Sequence, residues 1–191
     1  MLRLAFILSV FTSITILGSC QVRKDKSQNA RYLLSRIDSI NIDIDTYGDP
    51  FDNYNQKLIK EFTENDRIPL QKQKIDSFNI LYRNYMKAIN RGLHKLYTFQ
   101  EIDTTIKVVA ANMTFLQHQR KLWNKMGSEY LKMYSTGWYN LSIEEQNAFV
   151  EFINELKEDQ SLSHQLGDSV NHISRELGKK YGFEYVPEPG K

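Results

Sequence analysis

The sequence predicts an all-α protein built as a single bundle of about five to six helices. Apolar residues recur every three or four positions through most of the chain, which is the spacing of one buried helix face. The 191 residues contain only four Pro and nine Gly, so few positions interrupt such helices. No internal repeat marks a second domain, and a chain with 41% apolar residues can bury one core.

The first element is a short apolar segment at the N-terminus. Arg3 is followed by an uncharged stretch from Leu4 to Leu17. This stretch of roughly 14 residues is shorter than the ~20 that a spanning helix needs, and it matches the apolar core of a secretory signal. Directly after its last residue come Gly18, Ser19 and Cys20, which is the only cysteine of the chain.

The quartet Leu17-Gly18-Ser19-Cys20 resembles the lipobox of bacterial lipoproteins, and the resemblance covers residues 1–20 alone. It implies cleavage between Ser19 and Cys20 and a covalent lipid on Cys20, and we expect no other cofactor. Two or more acyl chains hold a protein stably on a membrane. The expected organisation is a signal peptide at 1–19, the lipidated cysteine with a polar tether at 20–29, a helical domain at 30–182 and an extended tail at 183–191.

Charge and cysteine content narrow the classes of function. Loss of Arg3 with the signal leaves a net charge of about +1, which argues against a nucleic-acid partner because no excess of positive charge displaces counterions. With Cys20 lipidated, the chain has no thiol for disulfides or cysteine chemistry. In the lipoprotein class, Gln21 after the cysteine favours the outer membrane, and the mainly basic tether favours its periplasmic face.

The first part of the body predicts two helices separated by a turn. Residues 29–46 carry apolar residues at helical spacing, although Ile40 to Ile44 also alternates as a strand would, and we prefer the helix. The run Tyr47-Gly48-Asp49-Pro50 predicts a turn. A short helix follows from Phe51 and ends before Pro69.

The remaining segments predict longer helices. Residues 70–99 form the clearest amphipathic pattern, and Gly92 lies on its apolar face where a neighbouring helix could approach. Residues 103–134 predict the next helix, which ends at Ser135-Thr136-Gly137. Ser142 and Glu145 form a predicted capping box, after which the helical pattern continues to Gly182.

Arg120 is a candidate functional residue because it falls at the centre of the apolar stripe of the 103–134 segment. A buried arginine needs a carboxylate or several carbonyl groups as partners. The favoured interpretation is structural, either a paired core arginine or a side chain lying along the surface with its head in water. The alternative is an anion- or partner-binding residue in a groove.

Trp138 and Tyr139 are the predicted partner-binding residues. They lie between the break at Gly137 and the capping box that begins at Ser142, and connections usually run over the surface. Large amphipathic aromatic residues are enriched at binding hot spots. Packing into the core is the alternative.

One group of residues in the last helical segment has the spacing of metal ligands. His164, Asp168 and His172 have the four-residue spacing of ligands on one helix face. The apolar residues of that segment lie nearly opposite, so a solvated face is favoured and no metal site is predicted. The sequence contains no G-x-S-x-G, H-E-x-x-H, C-x-x-C-H or phosphate-binding motif.

These observations favour a lipid-anchored, non-enzymatic protein of the bacterial cell envelope. Its expected role is to bind or scaffold another envelope protein, for example within a secretion or assembly complex or as an inhibitor or immunity protein. The alternative is a periplasmic enzyme or small-ligand-binding protein that uses a polar groove near Arg120. A deep pocket with converging ionisable groups would favour the alternative.

Overall fold

The computed structural model describes the backbone of residues 2–65 and 67–186 and the side chains of residues 25–65 and 67–186. The elements are α1 (Leu2–Glu64), α2 (Lys72–Tyr97), α3 (Val108–Thr136) and α4 (Ile143–Lys180), with one turn of 3-10 helix at Trp138–Asn140. The described part contains no strand, so the all-α prediction is confirmed. The described part holds four α-helices rather than the expected five to six.

The predicted turn at residues 47–50 is wrong, because α1 continues through Pro50 to Glu64. The buried face of α1 resumes at once, and Phe51 is 1% exposed. Gly48 lies on the same face, where an added Cβ would be 3.0 Å from the Tyr85 ring. Pro50 is exposed, and its helix-breaking effect of ~3 kcal/mol is offset by apolar side chains buried on both sides at about 1.5–3 kcal/mol each. The helical pattern predicted after the capping box is one continuous helix, α4, over 38 residues.

The helices run up and down, and each packs chiefly against the next one along the chain. One hydrophobic core joins all four helices. At its centre the rings of Phe78 and Tyr134 meet edge to face, with centroids 5.6 Å apart. The Tyr134 hydroxyl donates a hydrogen bond of 2.9 Å to the side-chain oxygen of buried Asn55, which satisfies both polar groups in the core.

Gly92 lets α1 and α2 approach closely, as the sequence predicts. A Cβ at this position would lie 2.9 Å from side-chain carbons of both Ile40 and Ile44. The contact fixes the register of the two helices where their apolar faces meet.

Asp103 ties the α2–α3 loop to the end of α4. Its carboxylate accepts hydrogen bonds from the Thr105 N–H at 2.8 Å and the Tyr181 hydroxyl at 3.1 Å, and it forms an ion pair with Lys180. The side chain is only 6% exposed, so these partners compensate for the removal of its charge from water. The bond from Lys180, followed by those from Thr105, holds the pKa of Asp103 well below its usual range.

The first part of the predicted tail folds back against α1. Phe183 is buried, and the Arg31 guanidinium lies 4.3 Å from its ring centroid. The Tyr185 hydroxyl is 2.6 Å from the Asp38 carboxylate. The non-helical course predicted for the tail holds for residues 183–186, while residues 187–191 lie outside the described part.

Candidate partner-binding surface

Two loops lie side by side at the end of α1. The Trp138 N–H donates to the Arg67 carbonyl at 2.8 Å, and the Leu70 N–H donates to the Tyr134 carbonyl at 2.9 Å. We call residues 67–71 and 137–143 the loop corner; it includes Ile143, the first residue of α4. Because backbone hydrogen bonds join the two loops, the loop corner is one platform rather than two independent connections.

Gly137 ends α3 and permits this close approach. Its φ of +78° lies in the left-handed region, which side chains other than glycine rarely adopt. A Cβ at this position would be 2.6 Å from Pro69 Cδ. The predicted break at residues 135–137 is therefore confirmed, and its physical reason is contact with the other loop.

The structure places the two predicted binding residues differently. Trp138 is half-buried, and its ring meets that of Phe149 edge-on with centroids 6.0 Å apart. The Arg67 guanidinium lies 5.7 Å from the Trp138 ring centroid, within range of a cation–π contact. Tyr139 is 72% exposed. Trp138 thus contributes to packing, while Tyr139 is accessible from solvent.

Two further apolar side chains are exposed at the loop corner. Ile68 is 56% exposed in the α1–α2 loop, and Ile143 is 73% exposed as the first residue of α4. Neither residue is among the binding residues predicted from the sequence. The available signal was an isoleucine outside the helical stripes, one directly before Pro69 and one directly after the capping serine. Exposed apolar residues grouped at one end of a molecule are typical of interaction sites.

A pocket of about 240 Å³ lies beside the loop corner, between α3 and the first turns of α4. We call it the acidic pocket, since three of its eight lining residues are glutamates. Its lining residues are Glu129, Lys132, Met133, Leu141, Glu144, Glu145, Ala148 and Phe149.

Glu145 of the predicted capping box is one of the residues that line this pocket. The Glu145 N–H donates to Ser142 Oγ at 3.2 Å, and the Ser142 N–H donates to the Glu145 carboxylate at 2.8 Å. Lys132 Nζ lies 2.8 Å from the other carboxylate oxygen. Its hydrogen bond, together with the capping contacts, lowers the pKa of Glu145, and the same carboxylate raises the pKa of Lys132. Bonds from its own backbone N–H and from Ser142 lower the pKa of Glu144.

No known family model, characterised protein or solved structure matches this chain. The function is therefore inferred from the residues and their arrangement. The loop corner offers apolar and aromatic contact area, which suits binding. Glu145 uses its oxygens for helix capping and for Lys132, so it is poorly placed to transfer a proton to a substrate.

Arg120 is exposed, so the expectation that it lies at the centre of the buried stripe is wrong. The inward positions of α3 advance from Leu116 to Gln119 and then to Trp123. Gln119 Oε1 accepts a hydrogen bond of 3.1 Å from the Trp123 indole. Gln119 therefore occupies the inward position at this turn, and Arg120 is accessible to solvent. Its role in partner binding stays a prediction.

His164, Asp168 and His172 are all exposed on α4. Among the residues described, no group of three or more His, Cys, Asp or Glu side chains is arranged to hold a metal ion. These three side chains therefore lie on a solvent-exposed face of α4, as the sequence predicts.

The predicted lipidation site at Cys20 and the cleavage position after Ser19 fall outside the residues whose side chains the structure describes. Within the described residues, no helix combines the length and apolar character that a membrane span requires.

Proposed function

We propose that this chain is a lipid-anchored protein of the bacterial cell envelope that binds or scaffolds another envelope protein through the loop corner. It catalyses no reaction in this proposal. The lipid on Cys20 holds it on the outer membrane, facing the periplasm. Its partner is a component of a secretion or assembly complex, or a protein that it inhibits or neutralises.

Anchoring is supported by the sequence of residues 1–20. A signal core is followed at once by a lipobox, and the only cysteine of the chain stands at the position that the lipobox modifies. The two conditions are independent of each other, and together they favour lipidation over a simple signal peptide.

Partner binding is supported by one observation above all, the exposure of Ile68, Tyr139 and Ile143 on a backbone-bonded platform. A platform that is ordered before binding loses less conformational entropy when a partner docks. Tyrosine is also among the residues that dominate hot spots. Trp138 supports the platform, because its ring contacts Phe149 and packs against the hydrophobic core.

The direction of α1 supports a role away from the membrane. The part of α1 from Asp25 to Glu64 extends over about 60 Å at 1.5 Å per residue. The loop corner lies at the end of α1 that is remote from Cys20. An anchored protein of this shape presents its exposed apolar residues to a partner well clear of the lipid surface.

The proposal is tested by photo-crosslinking in cells that produce the lipidated protein. A photoreactive amino acid at position 139 should capture a specific envelope protein. The same group at position 97 should not, because Tyr97 is similarly exposed, at 63%, but lies at the opposite end of α2.

A matched pair of variants separates binding from folding. With the photoreactive group at position 68, Tyr139→Ser with Ile143→Ser should abolish capture. Ile80→Ser should retain it, because Ile80 is 60% exposed on α2 outside the loop corner. Equal capture from positions 97 and 139, or capture that survives the double substitution, would contradict the proposed binding surface.

A further inference from the structure

The acidic pocket combines apolar side chains with carboxylates, which a purely apolar docking surface would not need. Met133, Leu141 and Phe149 supply apolar lining, while glutamates from both α3 and α4 supply negative charge. The pocket adjoins the loop corner through Leu141, which belongs to both. A partner that covers Tyr139 and Ile143 therefore lies next to this pocket.

The charge of the pocket is only partly explained by helix formation. Glu144 and Glu145 stand in the first turn of α4, where carboxylates stabilise the positive end of the helix dipole. Glu129 does not act on a helix N-terminus, because it lies about two turns before the end of α3; there its charge acts on Lys125 and Lys132 of the same helix. Three glutamates against Lys132 leave the pocket with a net charge of −2 at neutral pH.

The size of the pocket favours a single side chain over a small-molecule ligand. Small-molecule sites usually enclose about 300–1,000 Å³, and this pocket has a volume of about 240 Å³. Lysine and arginine combine a long apolar stem with a cationic head. The stem matches the Met133 and Phe149 lining, and the head matches the carboxylates of Glu129 and Glu144.

We infer that the acidic pocket receives a lysine or arginine side chain of the partner protein, next to apolar partner residues that cover Tyr139 and Ile143. The identity of the occupant as a partner side chain rests on the proposed function. The pocket's preference for a basic side chain is a property of this chain and can be measured without the partner.

The measurement uses the lipidated protein in bilayer nanodiscs with ¹³C-labelled methionine methyl groups. The probes are the N-acetyl amides of arginine, lysine, norleucine and glutamate. Met133 lines the pocket, so its methyl group is the probe, and the methyl group of buried Met86 on α2 is the internal reference. We expect saturable shifts of the Met133 resonance with the arginine or lysine amide only, and no shift of the Met86 resonance.

Charge variants provide the matched control. Glu129→Gln with Glu144→Gln should weaken probe binding about fivefold or more, which corresponds to losing one or two partly exposed ion pairs. Glu151→Gln with Glu158→Gln, on exposed positions of α4 outside the pocket, should leave binding unchanged. The absence of any saturable shift, an equal response to norleucine amide, or unchanged affinity in the pocket variant would overturn the inference.

Failure of the inference is distinguishable from failure of the proposed function. Partner capture at position 139 that is unaffected by Glu129→Gln with Glu144→Gln overturns the inference and leaves the proposed function standing. Loss of specific capture in the unsubstituted protein overturns the proposed function, while the probe titration still decides whether the pocket takes a basic side chain.

Discussion

At the scale of residues, Trp138 and Tyr139 are adjacent in sequence but differ in their surroundings. The Trp138 ring contacts Phe149 and Arg67, whereas the Tyr139 side chain is largely in water. A chain that turns through 3-10 geometry directs successive side chains to different sides, so one can pack while the next remains accessible. The two residues are therefore expected to have different roles: Trp138 supports the loop corner, and Tyr139 contacts the partner.

Trp138→Ala and Tyr139→Ala should affect stability and partner capture differently. We expect Trp138→Ala to lower the free energy of unfolding by about 3 kcal/mol, since a large ring is removed from packed surroundings. Tyr139→Ala should change it by less than ~0.5 kcal/mol, as for most surface substitutions, yet reduce partner recovery. Chemical denaturation of both single variants, with recovery measured in parallel, checks this. Equal stability losses would contradict the division.

Asp103 should give the protein a pH-dependent contribution to stability. The pKa of Asp103 is lower in the folded state than in the unfolded chain, where it is about 3.9. The contribution is therefore fully present above that unfolded pKa and is lost as the pH falls towards the lower folded pKa. Asp103→Asn should therefore be less stable than the unsubstituted protein at pH 7. The difference should shrink as the pH falls below about 4.

Urea unfolding at pH 7, 5 and 3 measures this difference. Asp168→Asn is the matched control, because Asp168 is exposed on α4. A stability difference for Asp103→Asn that stays constant across the three pH values would exclude the proposed role of the carboxylate charge.

At the scale of elements, α1 and α2 are held in register by a close contact at Gly92. Gly92 sits against Ile40 and Ile44 of α1 at distances too short for an added methyl group. Gly167 on α4 is different, because its nearest neighbour would be a Phe115 ring carbon at 3.9 Å, an ordinary contact. Replacing each glycine with alanine therefore distinguishes the cost of tight helix packing, at position 92, from the gain in helix propensity, at position 167.

Gly92→Ala and Gly167→Ala should change stability in opposite directions. Alanine favours the helix over glycine by up to ~1 kcal/mol. At position 167 this gain should appear almost in full, whereas at position 92 overpacking at about 1–3 kcal/mol should exceed it. Thermal unfolding of the two variants gives the sign directly. A higher melting temperature for Gly92→Ala would show that α1 and α2 move apart easily.

At the scale of the whole molecule, the up-and-down course of the helices separates two ends. One end carries the loop corner, and the other carries the Asp103 network and the docked tail. In the proposed function the first end meets a partner while the lipid lies towards the second. The separation follows from helix length, since four long helices with short connections return the chain to each end in turn.

Cys20→Ser should release the protein from the membrane fraction, because a single hydroxyl cannot take the thioether-linked lipid that holds it. Fractionation of cells, with detection of the processed and unprocessed chains, measures this. Ser39→Ala, an exposed position on α1, should remain in the membrane fraction. Continued cleavage and unchanged membrane retention of the Cys20→Ser protein would contradict lipid anchoring.

The sequence by itself determined the helical class, the position of α2 to within two residues at each end, the break at Gly137 and the capping box at Ser142. These features depend on residues close together along the chain, namely apolar spacing, glycine conformation and a serine three residues before a glutamate. The lipobox is local in the same way, and its prediction stands on residues 1–20 alone.

Only the tertiary structure decided that α1 passes through Pro50, that Gln119 rather than Arg120 faces inward, and that Ile68 lies beside Trp138. Two of these depend on residues distant in sequence, since Tyr85 packs against Gly48 and the Arg67 carbonyl accepts the Trp138 N–H. The third is visible only from burial, because Gln119 and Arg120 are neighbours in the same helical pattern and Arg120 is the exposed one. Local turn signals are weak by comparison, because the burial of several side chains outweighs one lost backbone hydrogen bond. The acidic pocket has the same origin, since Glu129 and Glu144 meet only when α3 and α4 pack together.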